Sequence, residues 1–170
     1  METAECWQLA LESARSPSVI ALTRQNLPAV RTEFSAENRS ARGAYELAAA
    51  DGNADVSIFA SGSEVEIALA AKALIEARGF AARVVSVPCF ELFAAQSEDY
   101  RIELLGEARV NLAIEAAVRQ SWARFIGREG LFIGMTGFGA SAPYGQLYEK
   151  FGITAEAAAE AAIERLTANA

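Results

Sequence analysis

The chain predicts a three-layer α/β/α sandwich built on a mostly parallel five-stranded sheet, with one antiparallel strand at its edge. From about residue 38 onward, short apolar runs alternate with amphipathic stretches, the pattern of strands buried on both faces and joined by covering helices. The runs give way to turn-forming or helix-starting residues, as at Ser61-Gly62-Ser63-Glu64, Gly79 and Pro88. The 170 residues, 52% of them hydrophobic, supply apolar surface for one ordinary core and a short appended piece.

In chain order, Thr3 is placed to cap a first helix with Glu5 in its first turn and Trp7, Leu11 and Ala14 along one face; Pro17 marks its end. A buried strand is expected at residues 19–23. Residues 24–42 lose periodicity and gain charge, with Pro28, Arg31, Glu33, Glu37 and Arg39, which reads as a linker with a domain boundary near Asn38. Residues 45–48 suit the edge strand and residues 55–60 a central one. Ser61 and Glu64, three apart, have the form of a capping box opening a helix in which Val65, Leu69, Ala73 and Leu74 face inward, closed by Gly79. Residues 84–87 form the next strand; Leu92, Phe93 and residues 100–105 suggest short helical turns. A strand at 109–115, a helix at 121–126, a strand at 131–134 and a helix from 142 to 150 follow. Thr154 caps an alanine-rich final helix running to about Leu166.

Composition excludes several functions. A net charge of −7 and an isoelectric point near 4.7 leave no electrostatic footprint for nucleic acid or an anionic membrane, since phosphates need clustered cations. The absence of histidine removes Ser-His-Asp and Cys-His nucleophile systems and His-ligated zinc. Cys6 and Cys89 lack Cys-x-x-Cys spacing and read as buried reduced thiols. The first fifteen residues carry Glu2, Glu5, Glu12 and Arg15 and so lack the form of a secretory signal; a cytoplasmic protein is expected. The uncharged run at 130–148 holds five glycines and Pro143, too little hydrocarbon for a spanning helix.

Four places could carry chemistry. Arg24 follows an expected strand, where a guanidinium can grip a phosphate or carboxylate with two parallel hydrogen bonds, or else pair with Glu33 or Glu37. The Ser61-Gly62-Ser63-Glu64 turn could hold an anion on free amides, but capping accounts for the same residues. Glu115 ends a strand at the carboxyl edge of the sheet, where it could act as a base or accept loop hydrogen bonds; no second carboxylate is evident beside it, which favours structure. The loop 138–143, with Gly139, Ser141 and Pro143, could contact a ligand or a neighbouring subunit. Trp7 and Trp122 suit core or interface anchors. No residue is assigned a catalytic or metal-binding role.

Taken in order, the stretches Leu22-Thr23-Arg24-Gln25-Asn26-Leu27, Ala60-Ser61-Gly62-Ser63-Glu64-Val65, Arg83-Val84-Val85-Ser86-Val87-Pro88, Ala113-Ile114-Glu115-Ala116 and Phe138-Gly139-Ala140-Ser141-Ala142-Pro143 resemble the C-terminal part of transketolase, over nearly the whole chain. The resemblance implies that residues 1–37 are the tail of a pyrimidine-binding domain plus linker, and residues 38–170 the C-terminal domain. It implies a family reaction, transfer of a two-carbon ketol unit between sugar phosphates on thiamine diphosphate held by Mg²⁺, and a homodimer. It also implies that Arg24, in Thr23-Arg24-Gln25, binds the substrate phosphate. The family's Gly-Asp-Gly metal motif is not matched by Asp51-Gly52-Asn53, so neither thiamine diphosphate nor metal is expected on this chain alone, which should be inactive without upstream domains or a separate N-terminal subunit. The competing expectation is a stand-alone anion-binding or protein-assembly module.

Overall fold

The apolar runs become the sheet. The computed structural model describes residues 1–33 and 35–168, so Phe34 in the linker and the last two residues lie outside the described part. Strands β1 (Tyr45–Ala48), β2 (Val56–Ala60), β3 (Ala82–Ser86), β4 (Val110–Val118) and β5 (Leu131–Met135) lie in the order β1-β3-β2-β4-β5. The last four run parallel, and β1 pairs antiparallel with β3, so the expected sheet and its antiparallel edge are both present. Ile58 at the centre stands in register between Val84 and Leu112.

Alternation along each strand divides the core in two. Val56, Ile58, Val84, Leu112 and Ile114 pack on one face against α2 (Glu64–Glu76) and α7 (Ala155–Ala168). Phe59, Val85 and Ala113 face the other way, against Phe93 of α3 (Phe90–Ala94), Leu104 of α4 (Glu98–Leu105), Trp122 of a short 3₁₀ turn, and Phe125 and Ile126 of α5 (Ala123–Ile126). Phe125 is the hub of that second layer, its ring centroid 4.9–5.7 Å from those of Phe59, Phe90, Phe93 and Trp122. Each such aromatic pair adds about 0.5–1.5 kcal/mol beyond burial. Trp122 is thus a core residue.

Two polar or backbone devices tie the layers. Arg83 donates from Nη2 to the carbonyls of Leu104 (2.7 Å) and Leu105 (2.6 Å), satisfying the open end of α4, and from Nε to Ser57 Oγ (2.7 Å). Gly43 adopts φ +77°, and a Cβ there would meet Phe93 N at 2.2 Å, so only glycine allows this close approach.

The inward face of α2 differs from expectation. Val65, Ala68, Ala71 and Ile75 are buried, whereas Leu74 and Ala73 are exposed and Leu69 is half-buried. An alanine-rich helix offers more than one apolar stripe. The small residues Ala158, Ala159 and Ala162 of α7 select the stripe that lets the two helices approach.

The N-terminal segment departs furthest. Helix α1 spans Glu2–Glu12 with Met1 rather than Thr3 at its cap. Its buried residue is Glu5, while Trp7 (51%) and Leu11 (79%) are exposed. The body meets this helix with polar groups, namely Ser40, Tyr45 and Ser86, so the polar stripe turns inward. Residues 19–23 are not a strand: they pair with nothing in the sheet, and Val19 is 95% exposed. An apolar run becomes a strand only where an edge receives it, and this one is paired with neither edge strand.

The last third follows expectation. Helix α6 covers Tyr144–Phe151, and Thr154 Oγ1 accepts from Ala157 N (3.2 Å) at the start of α7. Among the described residues no helix is long and apolar enough to cross a membrane.

Candidate functional site

Parallel strands deliver their carboxyl ends to one edge of the sheet, which is where open α/β folds place functional groups. Ala60 and Ile114 are register partners, so the residues following them, Ser61 and Glu115, become neighbours although 54 positions separate them. Ser61 Oγ donates to Glu115 Oε2 at 2.6 Å. Glu64, the first residue of α2, is only 2% exposed; it accepts hydrogen bonds from Ser63 Oγ (3.1 Å) and from the hydroxyl of Tyr148 on α6.

The two carboxyls lie together without a cation. No described ion pair includes Glu64 or Glu115. Burial, then the charge of Glu64 and a hydrogen bond with it, push the Glu115 carboxyl up to about 7, against the opposing bond from Ser61. Burial and the bond to Glu64 push Tyr148 up to about 12. The raised value marks a pair of carboxyls that resists carrying two charges at once.

Beside this cluster lies a groove of about 440 Å³ between α6 and the ends of β4 and β5, lined by Val118, Met135, Leu147, Tyr148, Phe151 and Ile153. The loop before α6 forms one wall, and its Phe138 is fully exposed. The lining contains no lysine or arginine, and no trio of His, Cys, Asp or Glu among the described residues could hold a metal ion. These residues do not fit a diphosphate and its cation.

A second polar cluster anchors the N-terminal helix. Arg31 donates from Nη2 to Glu5 Oε1 (2.7 Å) and from Nη1 to Glu5 Oε2 (2.8 Å), a two-pronged pair whose side chains are 7% and 10% exposed. Ser40 Oγ adds a bond to Glu5 at 2.7 Å. Arg31, supported by Ser40, holds the Glu5 carboxyl down at about 2 despite burial. Glu2 accepts from the hydroxyls of Tyr45 and Ser86, each at 2.7 Å.

Arg24 is elsewhere. It lies on an exposed bend where Gln25 N donates to Thr23 Oγ1 (3.2 Å), and it forms no ion pair with Glu33 or Glu37. The expected capping box is replaced: Ser63 precedes α2, Ser61 turns to Glu115, and Glu64 turns to Tyr148. Both hydroxyls of that turn thus serve carboxylates. The second carboxylate beside Glu115, missed in sequence, is Glu64; only strand adjacency brings them together, so no local spacing signals the pair. Tyr148 and the Glu5–Arg31 pair were missed for the same reason. Cys6 and Cys89 are free, as expected, but half-buried rather than buried. Trp7 is exposed and not a core residue.

Comparison with known proteins places this arrangement. The family described as the transketolase-like C-terminal domain matches residues 43–154. The transketolase of Rhodobacter capsulatus is 54% identical over 94% of the chain, and that of Cereibacter sphaeroides 54% over 98%. The chain spans about a quarter of the length of these relatives, 25% in both. Transketolase from Leishmania mexicana superimposes with a TM-score of 0.83 at 39% identity, covering 96% of this chain and 23% of its own. A structure described as a split-gene transketolase, an inactive β4 tetramer, shares the fold, with a TM-score of 0.65 at 22% identity over 85% of this chain and 48% of its own. The chain belongs to the transketolase family and corresponds to its C-terminal quarter.

Proposed function

We propose that the chain supplies the C-terminal scaffold of a thiamine-diphosphate-dependent ketol transferase acting on sugar phosphates in the cytoplasm, and that it is inactive without the segments preceding it in its relatives. The observation that carries this reading is the inverted N-terminal helix: α1 docks through Glu2 and Glu5 and turns Trp7 and Leu11 outward. An apolar helix face left to water marks a surface that another part of the protein covers. In this reading residues 1–37 complete the preceding pyrimidine-binding domain, residues 38–170 form the C-terminal domain, and the assembled enzyme is a homodimer.

Arg24 is the substrate-phosphate residue in this reading. Its exposed bend, and the lack of an acidic partner among the described residues, suit the guanidinium to a ligand gripped jointly with upstream groups. The coenzyme would be held by the upstream segments, and no chemical step is assigned to residues of this chain. Mixing the purified chain with the separately expressed first three-quarters of the Rhodobacter capsulatus relative tests the proposal. Ketol transfer is expected only in the mixture, and Arg24→Ala should raise KM for a phosphorylated acceptor about 10- to 100-fold with little change in the mixture's assembly. Turnover by the chain alone, or an unaltered KM, would refute it.

A further inference from the structure

We propose that Glu64, Glu115 and Tyr148 form a proton-operated clasp, holding α6 on the carboxyl edge of the sheet while Glu115 is protonated and loosening it when Glu115 ionises. The inference concerns this domain by itself and does not depend on the catalytic reading above.

The geometry has three parts. Strand adjacency fixes Glu115 beside the start of α2, where Ser61 holds one of its oxygens at 2.6 Å. Glu64 is buried at the same place and has no cation to balance it. Tyr148 reaches from α6 to Glu64, with a longer contact to Ser63 Oγ (3.5 Å), and so ties that helix to the cluster. Helix α6 has no fully buried residue, so its seat on the body rests on half-buried Leu147, Tyr148 and Phe151 and on this bond. Glycines border it, at Gly137 and Gly139 before and Gly152, with φ +67°, after.

Among the described residues the groups facing Glu115 include no cation, and its charge is supported only by hydrogen bonds from Ser61 and the backbone at Ala116. From the β2–α2 turn come Ser61 and Ser63, from α2 comes Glu64, and from α6 comes Tyr148. The neighbouring strands β2 and β5 hold no titratable side chain, and α7 presents alanines and Leu166 to the sheet. Lys150, the cation on α6, lies over the Phe151 ring at 6.0 Å. With its proton, Glu115 donates to Glu64 and the cluster carries one negative charge. When that proton passes to water, two carboxylates face each other with no cation between them, and the repulsion falls on the group that Tyr148 grips.

The sign follows from the raised pKa of Glu115. The closed form binds the Glu115 proton more tightly than an open, hydrated form does, so closure is favoured at low pH and weakens as pH rises through about 7. With an open-form value near 4.5, the opening constant of α6 should grow about tenfold between pH 6 and pH 8. Opening would widen the apolar groove of about 440 Å³ that Tyr148 helps line.

Amide hydrogen exchange on the full chain, corrected for intrinsic rates and with α2 as internal reference, tests the clasp. Residues 144–151 should lose about tenfold protection between pH 6 and pH 8, whereas the middle of α2 should not. Glu115→Gln, which keeps a donor toward Glu64 without the charge, should hold α6 protected at both values, within about twofold. Tyr148→Phe should leave α6 exchanging fast at both values, and the Glu115 carboxyl, followed by carbon NMR, should fall back toward the ordinary carboxylate range. Should Glu115→Gln fail to fold, the wild type and Tyr148→Phe suffice. A wild-type α6 with no excess pH dependence, or a Glu115→Gln or Tyr148→Phe chain with the wild-type pH dependence, would overturn the proposal.

Discussion

The N-terminal arm and the body of this protein are held by opposite physics. The body buries Ile58, Leu112, Ile114, Phe59 and Trp122 in two apolar layers about a sheet, an attraction that is cooperative and nearly indifferent to pH. The arm is held through Glu5, Glu2 and Arg31, with Trp7 and Leu11 toward water. Polar anchoring specifies where a segment sits, while its strength depends on charge and solvent. An arm so attached to this body is suited to complete a neighbouring structure, because its apolar face stays available.

That contrast can be broken from either side. The largest effect is expected in the body: Phe125→Ala removes the hub of four aromatic contacts and should cost about 3–5 kcal/mol of global stability in urea denaturation. Next, Arg31→Ala strands Glu5 among Ser40 and backbone and should weaken arm docking by about 3 kcal/mol. Faster protease cleavage within residues 13–30, at an unchanged urea midpoint for the body, would report this; a shifted midpoint would show that arm and body form one unit. Acid should mimic the substitution. Glu5 has its folded value lowered to about 2, so its contribution is complete above about pH 4.5 and is lost as pH falls toward 2.

Glu115 reverses that sign within the body. Its raised value costs stability as pH climbs from 4.5 through 7, so Glu115→Gln should gain, at pH 8 relative to pH 5, at most about 3 kcal/mol over the wild type. Thermal unfolding at the two pH values measures it. The smallest effect is expected at Trp7→Ser, where an exposed side chain leaves body stability within about 0.5 kcal/mol but should reduce self-association of the isolated chain, read by sedimentation.

Legibility followed burial. Strands β2, β3, β4 and β5 were evident because strands covered on both faces must be apolar throughout, and the edge strand β1 was evident because its residues sit between turns. Residues 19–23 read as a strand by the same criterion, yet they pair with no strand of the sheet and stay largely exposed. Trp7 and Trp122 both read as core or interface anchors; the structure buries Trp122 and leaves Trp7 exposed. Among site residues, Ser61, Glu64 and Glu115 were each singled out, but as a capping box and a lone carboxylate, since Tyr148 and the strand order that joins them lie far away in sequence.

The amino-acid order by itself determined which segments must be covered, for apolar side chains have no favourable alternative in water, and with them the layered α/β class. The tertiary structure alone decided which side of α1 and α2 turns inward, and that two carboxyls meet uncompensated at the head of the sheet. Helical periodicity leaves rotation free when several stripes would serve, and the partner surface selects one. Proximity across 51 residues is a property of strand order, which depends on how the whole sheet closes its core.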